Sequence, residues 1–443
     1  MSTLSINPYL SGYPDLATRL PGQDLPWLQQ FRSEAFQRFS ENGFPGNRQE
    51  EWRYTDLSAL SKTLYAPTAS QTVDAEWLNA YRLQNVNSVV LVNGHFSADL
   101  SRCEGLSASV TVAGFKQVLQ QTPDLIEKYL GLTVTNDEHN LVAFNNAWFA
   151  DGVVIEIAAN QHLDKPLQIL HVVTETQALA ATRNLLVLHE NAAAEIVESY
   201  IGSVENYFSA SVNECILDRN AELSLYKVQL EAVKALHFGG TYSKQAQDSR
   251  FKHHQFALGS QLARTDIHSD LDEAAECHLH GLFLGENRQH LDSHTRINHL
   301  KPHGISREFY KGVLNQRARG VFQARVIVAE DAQHTDSEMN NRNLLLSSDA
   351  EIDTKPQLEI YADDVKCSHG VTVGQLEDKS VFYLQSRGID EEAARNILTF
   401  AFANEMVEKV ENEELKGLLQ KQLLARFPAI SLLDICDGDL NVG

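Results

Sequence analysis

The chain has 443 residues, enough for one large or two to three ordinary domains around a substantial core. Hydrophobic residues make up 43% and charged residues 22%, the balance of a globular chain and not a disordered one. Its 59 acidic against 37 basic side chains give a formal charge of -22, which repels phosphate backbones and anionic lipid and excludes nucleic acid and membrane surfaces as natural partners.

The opening residues Met1 to Pro8 lack the basic start and apolar run of a signal peptide, and no apolar run approaches the length of a bilayer span. Cys103, Cys215, Cys277, Cys367 and Cys436 are odd in number and far apart, with no Cys-x-x-Cys. That usage indicates neither a disulfide framework nor a zinc finger, and the expectation is a cytoplasmic protein in a reducing compartment.

Residues 1–150 read as a mostly helical region. Trp27, Leu28, Phe31, Ala35 and Phe39 recur at helical spacing, and Gly43-Phe44-Pro45-Gly46 ends that helix. The segment from Glu50 to Leu57 reads as a surface helix turning Trp52 and Leu57 inward. Val89 to Val92 followed by Asn93-Gly94 is a hairpin signal, because those two residues tolerate the positive φ of a tight turn. One helix is expected from Gly114 to Leu130, with Phe115, Val118, Leu119, Leu125, Ile126 and Tyr129 on its apolar side.

From residue 151 to 388 the chain reads as short strands and turns. Val153–Ile157, Leu167–Val173, Asn184–Leu188, Ile196–Tyr200, Ser211–Leu217 and Leu223–Val228 open the series. So long an all-β stretch implies a sandwich, a barrel or a parallel β-helix. Amide-or-acid plus alanine turns at Asn191-Ala192, Asn220-Ala221, Asp331-Ala332 and Asp349-Ala350 show no clean period, so repetition points to a solenoid only weakly. Residues 389–443 return to helix. Asp390 caps a helix at Glu391-Glu392, and Ala394, Ile397, Leu398, Ala401, Phe402, Met406 and Val410 form its apolar stripe. A second helix runs from about Glu414 to Phe427 and stops at Pro428. With eleven acidic and five basic side chains, this region is either a helical pair capping the β domain or a docking surface.

Candidate chemistry concentrates in Leu358-Glu359-Ile360-Tyr361-Ala362-Asp363-Asp364-Val365-Lys366-Cys367-Ser368-His369-Gly370. Cys367 and His369 are two apart, so on extended backbone both side chains share a face, and Gly370 then permits a turn. A thiol and an imidazole are good ligands for iron or zinc, but two ligands make half a site. Nine of the 17 histidines lie between His253 and His303, including Cys277-His278-Leu279-His280, whose imidazoles share a strand face, and His290 with His294 at helical metal spacing. Most of these are expected to hydrogen-bond within the β domain. No phosphate-binding Gly-x-x-x-x-Gly-Lys-Ser/Thr, Gly-x-Gly-x-x-Gly, His-Glu-x-x-His or Gly-x-Ser-x-Gly occurs.

Four blocks resemble the SufB/SufD family of iron–sulfur cluster assembly proteins, and its SufD branch in particular. They are Gln289 to Thr295 with Pro302-His303, Tyr310 to Leu314 with Ala318 to Phe322, Asn341 to Ser347, and Glu359 to Gly370 with Phe382-Tyr383-Leu384 and Ser386 to Ile389. Cys367-Ser368-His369-Gly370 carries the SufD likeness, and Glu51-Trp52-Arg53-Tyr54 extends it to the N-terminal region. The resemblance implies a mainly β fold, a right-handed parallel β-helix over 151–388 flanked by helical regions at 1–150 and 389–443. It implies a scaffold subunit that is not itself an enzyme, pairing with SufB through the β-helix and binding the ATPase SufC through the C-terminal helices. It also implies His369 and Cys367 as ligands of iron or of a transient Fe–S cluster shared with SufB, with none held tightly by the isolated chain and a homodimer possible without SufB. The alternatives are a partner that regulates SufC without holding metal, and a β-helix carbohydrate-active enzyme.

Overall fold

A computed structural model describes residues 8–136 and 138–427. The expected stop at Pro428, Cys436 and the first seven residues lie outside the described residues. Two long sheets face each other across a shared core. One carries ten strands in the order β19-β17-β15-β13-β11-β9-β7-β5-β1-β2, and the other nine in the order β18-β16-β14-β12-β10-β8-β6-β4-β3. The first sheet comprises β1 Asn87–Val92, β2 His95–Arg102, β5 Leu167–Val173, β7 Ala193–Gly202, β9 Glu222–Gln229, β11 Arg250–Ala257, β13 Glu276–Gly285, β15 Ile305–Leu314, β17 Asp336–Leu345 and β19 Lys366–Gly374. The second comprises β3 Val110–Gly114, β4 Val153–Ile157, β6 Leu179–Leu188, β8 Phe208–Leu217, β10 Leu236–Gln245, β12 Leu262–Leu271, β14 His290–His299, β16 Arg319–Val328 and β18 Glu351–Ile360. From β5 onward the chain alternates between sheets and every pairing is parallel, which is a parallel β-solenoid of about eight turns. The fold class expected from the family resemblance, mainly β with helices at both ends, is the one observed.

The solenoid period absent from the alanine turns is present in the backbone. Asn160, Asn191, Asn220, Asp248, Ala274, His303 and His334 take φ between 54° and 64° at 26- to 31-residue intervals. Each hands its N–H to the next turn, as in Asn191 N to Arg219 O and His303 N to Gln333 O. The left-handed corner is therefore periodic although its residue type is not, since amides, an acid and even alanine and histidine fill it.

Alternate residues of each strand point into the lumen, where Leu186, Ile196, Leu225, Phe251, Ile267, Leu279, Ile297 and Phe322 pack. Helices cover the outer faces. On the nine-stranded sheet α1 Pro8–Ala17, α2 Pro26–Asn42 and α7 Asn140–Trp148 set Tyr9, Tyr13, Phe39, Phe144 and Trp148 against Phe208, Val212 and Phe238. On the ten-stranded sheet α9 Glu391–Val407 and α10 Glu413–Arg426 set Met406, Val407, Leu415, Leu419 and Leu423 against Tyr226, Val228, Phe256 and Leu282. Asp390 caps α9 by accepting from Ala393 N. The C-terminal pair thus lies along the flank of the solenoid, and among the described residues its end is left open.

Several expectations change in detail. The helix foreseen from Gly114 to Leu130 is two, α5 Phe115–Gln121 and α6 Pro123–Tyr129, because Pro123 has no N–H to continue the first and starts the second instead. Besides the short helices α3 Ser58–Lys62 and α4 Ala75–Asn79, the mostly helical region 1–150 contributes β1, β2 and β3, with the Asn93-Gly94 hairpin as expected. Glu50–Trp52 is one 3-10 turn, with Trp52 and Leu57 buried. A helix the sequence did not announce, α8 Asp378–Gln385, falls inside residues 151–388. Among the described residues no helix is long and apolar enough to cross a membrane.

The lumen also holds ionisable groups. Glu308 is buried beside Thr295, whose Oγ1 donates to it at 2.5 Å, and burial pushes its carboxyl up to about 7. A folded-state value above the unfolded one gives a contribution to stability that is complete below the ordinary value of 4.5 and lost as pH rises through about 7. Glu308→Gln is therefore expected to gain about 3 kcal/mol relative to wild type between about pH 4.5 and pH 8. Urea unfolding at both ends of that range checks it, and a difference constant with pH would refute the assignment.

Candidate functional site

Among the described residues, the two strands that end the solenoid, β18 and β19, have neighbours on one side only. Odd-numbered N–H groups of β18 face inward, as Glu351 N to Ala318 O and Tyr361 N to Val328 O show, so the even-numbered ones face the open edge. Pro356 falls among these and removes one donor from that edge. On β19 Lys366 N bonds Thr335 O, so the N–H groups of Cys367, His369, Val371 and Val373 face outward. Apolar side chains remain uncovered here: Ile360 is 41%, Tyr361 64% and Val373 49% exposed. An unprotected pair of edges bearing an apolar rim has the form of an interface.

Cys367 and His369 lie on this terminal turn. The register pairs Cys367 with Ser337 and His369 with Met339, both buried, so the two ligand candidates share the lumen-facing side of β19 as the two-residue spacing requires. Cys367 is half-buried against the core, whereas His369 is exposed. Burial pushes the Cys367 thiol up, offset in part by a hydrogen bond with the Ser337 backbone and reinforced by Asp336. Gly370 does not turn the chain, which continues as strand to Gly374. A Cβ there would meet Asn340 Oδ1 at 2.9 Å, so what glycine supplies is room for the neighbouring side chain.

Among the described residues no three His, Cys, Asp or Glu side chains converge to hold a metal ion. The histidine-rich stretch accounts for itself differently. His290 and His294 lie on strand β14, where a four-residue separation spreads them along the strand instead of joining them on a helix turn. His290 Nε2 meets Thr55 Oγ1 at 2.9 Å, His294 Nε2 meets Asp292 Oδ1 at 2.9 Å, and His268 Nδ1 meets Glu138 Oε1 at 3.1 Å. His299 Nε2 meets Ser306 Oγ at 2.9 Å, His303 stacks on His334, and His278 lies 3.5 Å from Glu276. His253 is buried in the lumen. His278 and His280 do share the outer face of β13, with Cys277 and Leu279 buried opposite.

Sequence reading missed a groove of about 510 Å3 between residues 49–52 and the nine-stranded sheet. Arg264 crosses its floor, 4.0 Å from the Trp52 ring, with Nε on Asp266 at 2.7 Å and NH1 on Asp292 at 3.0 Å. Along the walls Arg296 pairs with Glu138, Arg325 with Glu359 and Lys355 with Glu50. The alternation Arg264-x-Asp266 on one strand and Asp292-x-His294 on the next was the available signal.

Comparison with known proteins supports the resemblance seen in the four blocks. Residues 171–402 match the model of the SufBD core domain of the SUF system for FeS cluster assembly, and residues 5–169 match that of the SufBD protein N-terminal region. An iron–sulfur cluster assembly SufBD family protein of Synechocystis is 33% identical over 398 residues, covering 86% of this chain and 87% of the relative. The iron–sulfur cluster assembly protein SufD of Escherichia coli is 32% identical over 403 residues, covering 88% and 90%. The chloroplastic protein ABCI7 of Arabidopsis thaliana is 27% identical over 413 residues, covering 91% and 86%.

The thiols differ in a way that can be measured. Cys215 and Cys277 are fully buried, and burial raises both well above the ordinary thiol range, while Cys103 and Cys367 are half-buried. In a variant carrying Cys103→Ser and Cys436→Ser, native-state alkylation should modify Cys367 alone, with a pH midpoint above the roughly 8.5 of a free thiol. Mass spectrometry of the labelled peptides checks this, and a midpoint below that value would contradict the half-buried placement.

Proposed function

The chain belongs to the SufBD family of iron–sulfur cluster assembly proteins, and from that premise we propose that it is a non-ATPase scaffold subunit of a SufBCD-type complex. The open end of the solenoid pairs with a SufB sister subunit, whose strand edges complete the hydrogen bonding of β18 and β19. The C-terminal helices bind the ATPase SufC, which supplies the nucleotide chemistry for which this chain has no phosphate-binding loop. Cys367 and His369 contribute ligands to iron or to a transient cluster whose remaining ligands come from the sister, and the cluster is cargo that is built and passed on.

The observation that supports this reading is the placement of the two soft ligand candidates on the one turn of the solenoid that, among the described residues, nothing else covers. Exposed aromatic rings on α8, Phe382 at 69% and Tyr383 at 56%, support a protein-facing role for the helical region as well.

His369→Ala is expected to co-purify with the sister subunit and the ATPase while lowering cluster yield roughly tenfold, equivalent to about 1.4 kcal/mol of binding. Anaerobic reconstitution of the whole complex followed by Mössbauer spectroscopy measures it, with Cys367→Ala alongside. A normal yield and unchanged spectrum in both variants would leave the chain a structural partner that regulates the ATPase and holds no metal. Phe382→Asp combined with Tyr383→Asp should release the ATPase from the complex while leaving the sister bound, a separation that size-exclusion chromatography resolves.

A further inference from the structure

Opposite the groove, on the outer face of the ten-stranded sheet, lies an open cavity of about 470 Å3 walled by β13, β15, β17 and the end of α9. The register brings His254, His280 and Phe309 into one row across adjacent strands. His254 Nε2 and His280 Nδ1 are 3.3 Å apart, so one ring donates to the other, and His280 Nε2 has no protein partner among the described residues. Three cations surround the Phe309 ring: Lys311, Arg342 and Lys409, with Nζ or Cζ 5.6, 5.4 and 5.3 Å from its centroid.

These cations are not equally satisfied. Lys311 Nζ donates to Phe402 O at 2.9 Å and pairs with Glu405. Lys252 is taken by Glu222 and Glu411, and Arg307 by Asp336. Of the acids, Glu405 pairs with Lys311 and Glu276, outside the lining, faces His278, while Glu338 in the lining accepts from the neutral Asn340 amide and keeps its charge. Among the described residues no carboxylate pairs with Arg342 or Lys409. Burial first, then the charge of Lys409, push the His280 imidazole down to about 3, so it enters the cavity as a neutral ring. In a chain of net charge -22 this lining sets Arg307, Arg342 and Lys409 against Glu308, Glu338 and Glu405, a local balance, and it differs from the groove, where Arg264, Arg296, Arg325 and Lys355 are all paired.

We propose that this cavity binds a small phosphate-type oxyanion through Arg342, Lys409 and the free nitrogen of His280. Arg342 and Lys409 supply two charged donors that no carboxylate takes, and donors arriving from β13, from β17 on the far side of β15 and from beyond the end of α9 suit a tetrahedral oxyanion better than a planar carboxylate. Because Lys409 follows α9 whereas Arg342 and His280 belong to the solenoid, the bound anion ties the C-terminal helical pair to the sheet it packs on. The inference is independent of any role for Cys367 or His369.

Isothermal titration of the full-length chain with inorganic phosphate, with succinate at equal ionic strength as the comparison, tests it. Saturable one-to-one binding of phosphate is expected, with succinate weaker, and Arg342→Glu or Lys409→Glu should each weaken phosphate by about tenfold or more, the loss of one charge-assisted bond. Arg342→Gln and Lys409→Gln provide the same comparison where charge reversal disturbs folding, as read by circular dichroism. Absence of saturable phosphate binding, binding unaltered by these substitutions, or succinate bound as tightly as phosphate would each overturn the proposal.

Discussion

A stack of parallel strands satisfies its main chain only by having another strand on each side. In this chain that requirement is met turn by turn, because each strand from β4 to β17 hydrogen-bonds to the strand before it and the strand after it in its own sheet. At the start, the chain protects itself: β2 runs antiparallel to β1 with an irregular register, and β3 runs antiparallel to β4. At the other end there is, among the described residues, no such device beyond Pro356, and the helices that follow turn back along the flank. The site follows from that asymmetry, since a ladder that simply stops leaves donors, acceptors and lumen-facing side chains available to something outside the chain.

Strand existence was legible because each run is rich in β-branched and aliphatic residues, but strand length and inner face were not. In β6 and β8 every residue is buried, one face by the lumen and the other by helices, so the two-residue alternation that marks a half-exposed strand disappears. Toward the C-terminal turns the alternation returns, as in β17, where Ser337, Met339, Asn341 and Asn343 are buried and Glu338 and Arg342 are exposed. The period was hidden for a different reason. What repeats at the corner is a backbone angle, and asparagine, aspartate, alanine and histidine all occupy it.

The Cys367–His369 pair was legible because its chemistry depends on local spacing, which a strand converts directly into a shared face. The groove around Arg264 was not, since it joins residues more than two hundred positions apart, with Arg264 NH1 donating to Glu51 O at 2.8 Å and Trp52 stacked above. Nor was the cavity beside Phe309, whose residues are unremarkable singly and acquire meaning only from which cations lack a carboxylate. Net charge conceals such a place because it averages over the surface.

Position along the solenoid decides what the same residue type can do. Cys277 and Cys367 occupy one lumen-facing column, linked through Ser306 and Ser337, and Glu308 and His369 occupy the next. In the interior turn Cys277 is fully buried and chemically quiet, while Cys367 at the last turn is half open. On the proposed pairing a sister subunit would cover that turn and take both groups out of water, and a thiol and an imidazole buried without partners are costly. Coordination to an ion shared with the sister removes that cost, so the covering of the edge and the binding of cargo favour each other. On that proposal, a chain with the same two residues one turn earlier would have the thiol and the imidazole without the access, and the end of the ladder supplies both.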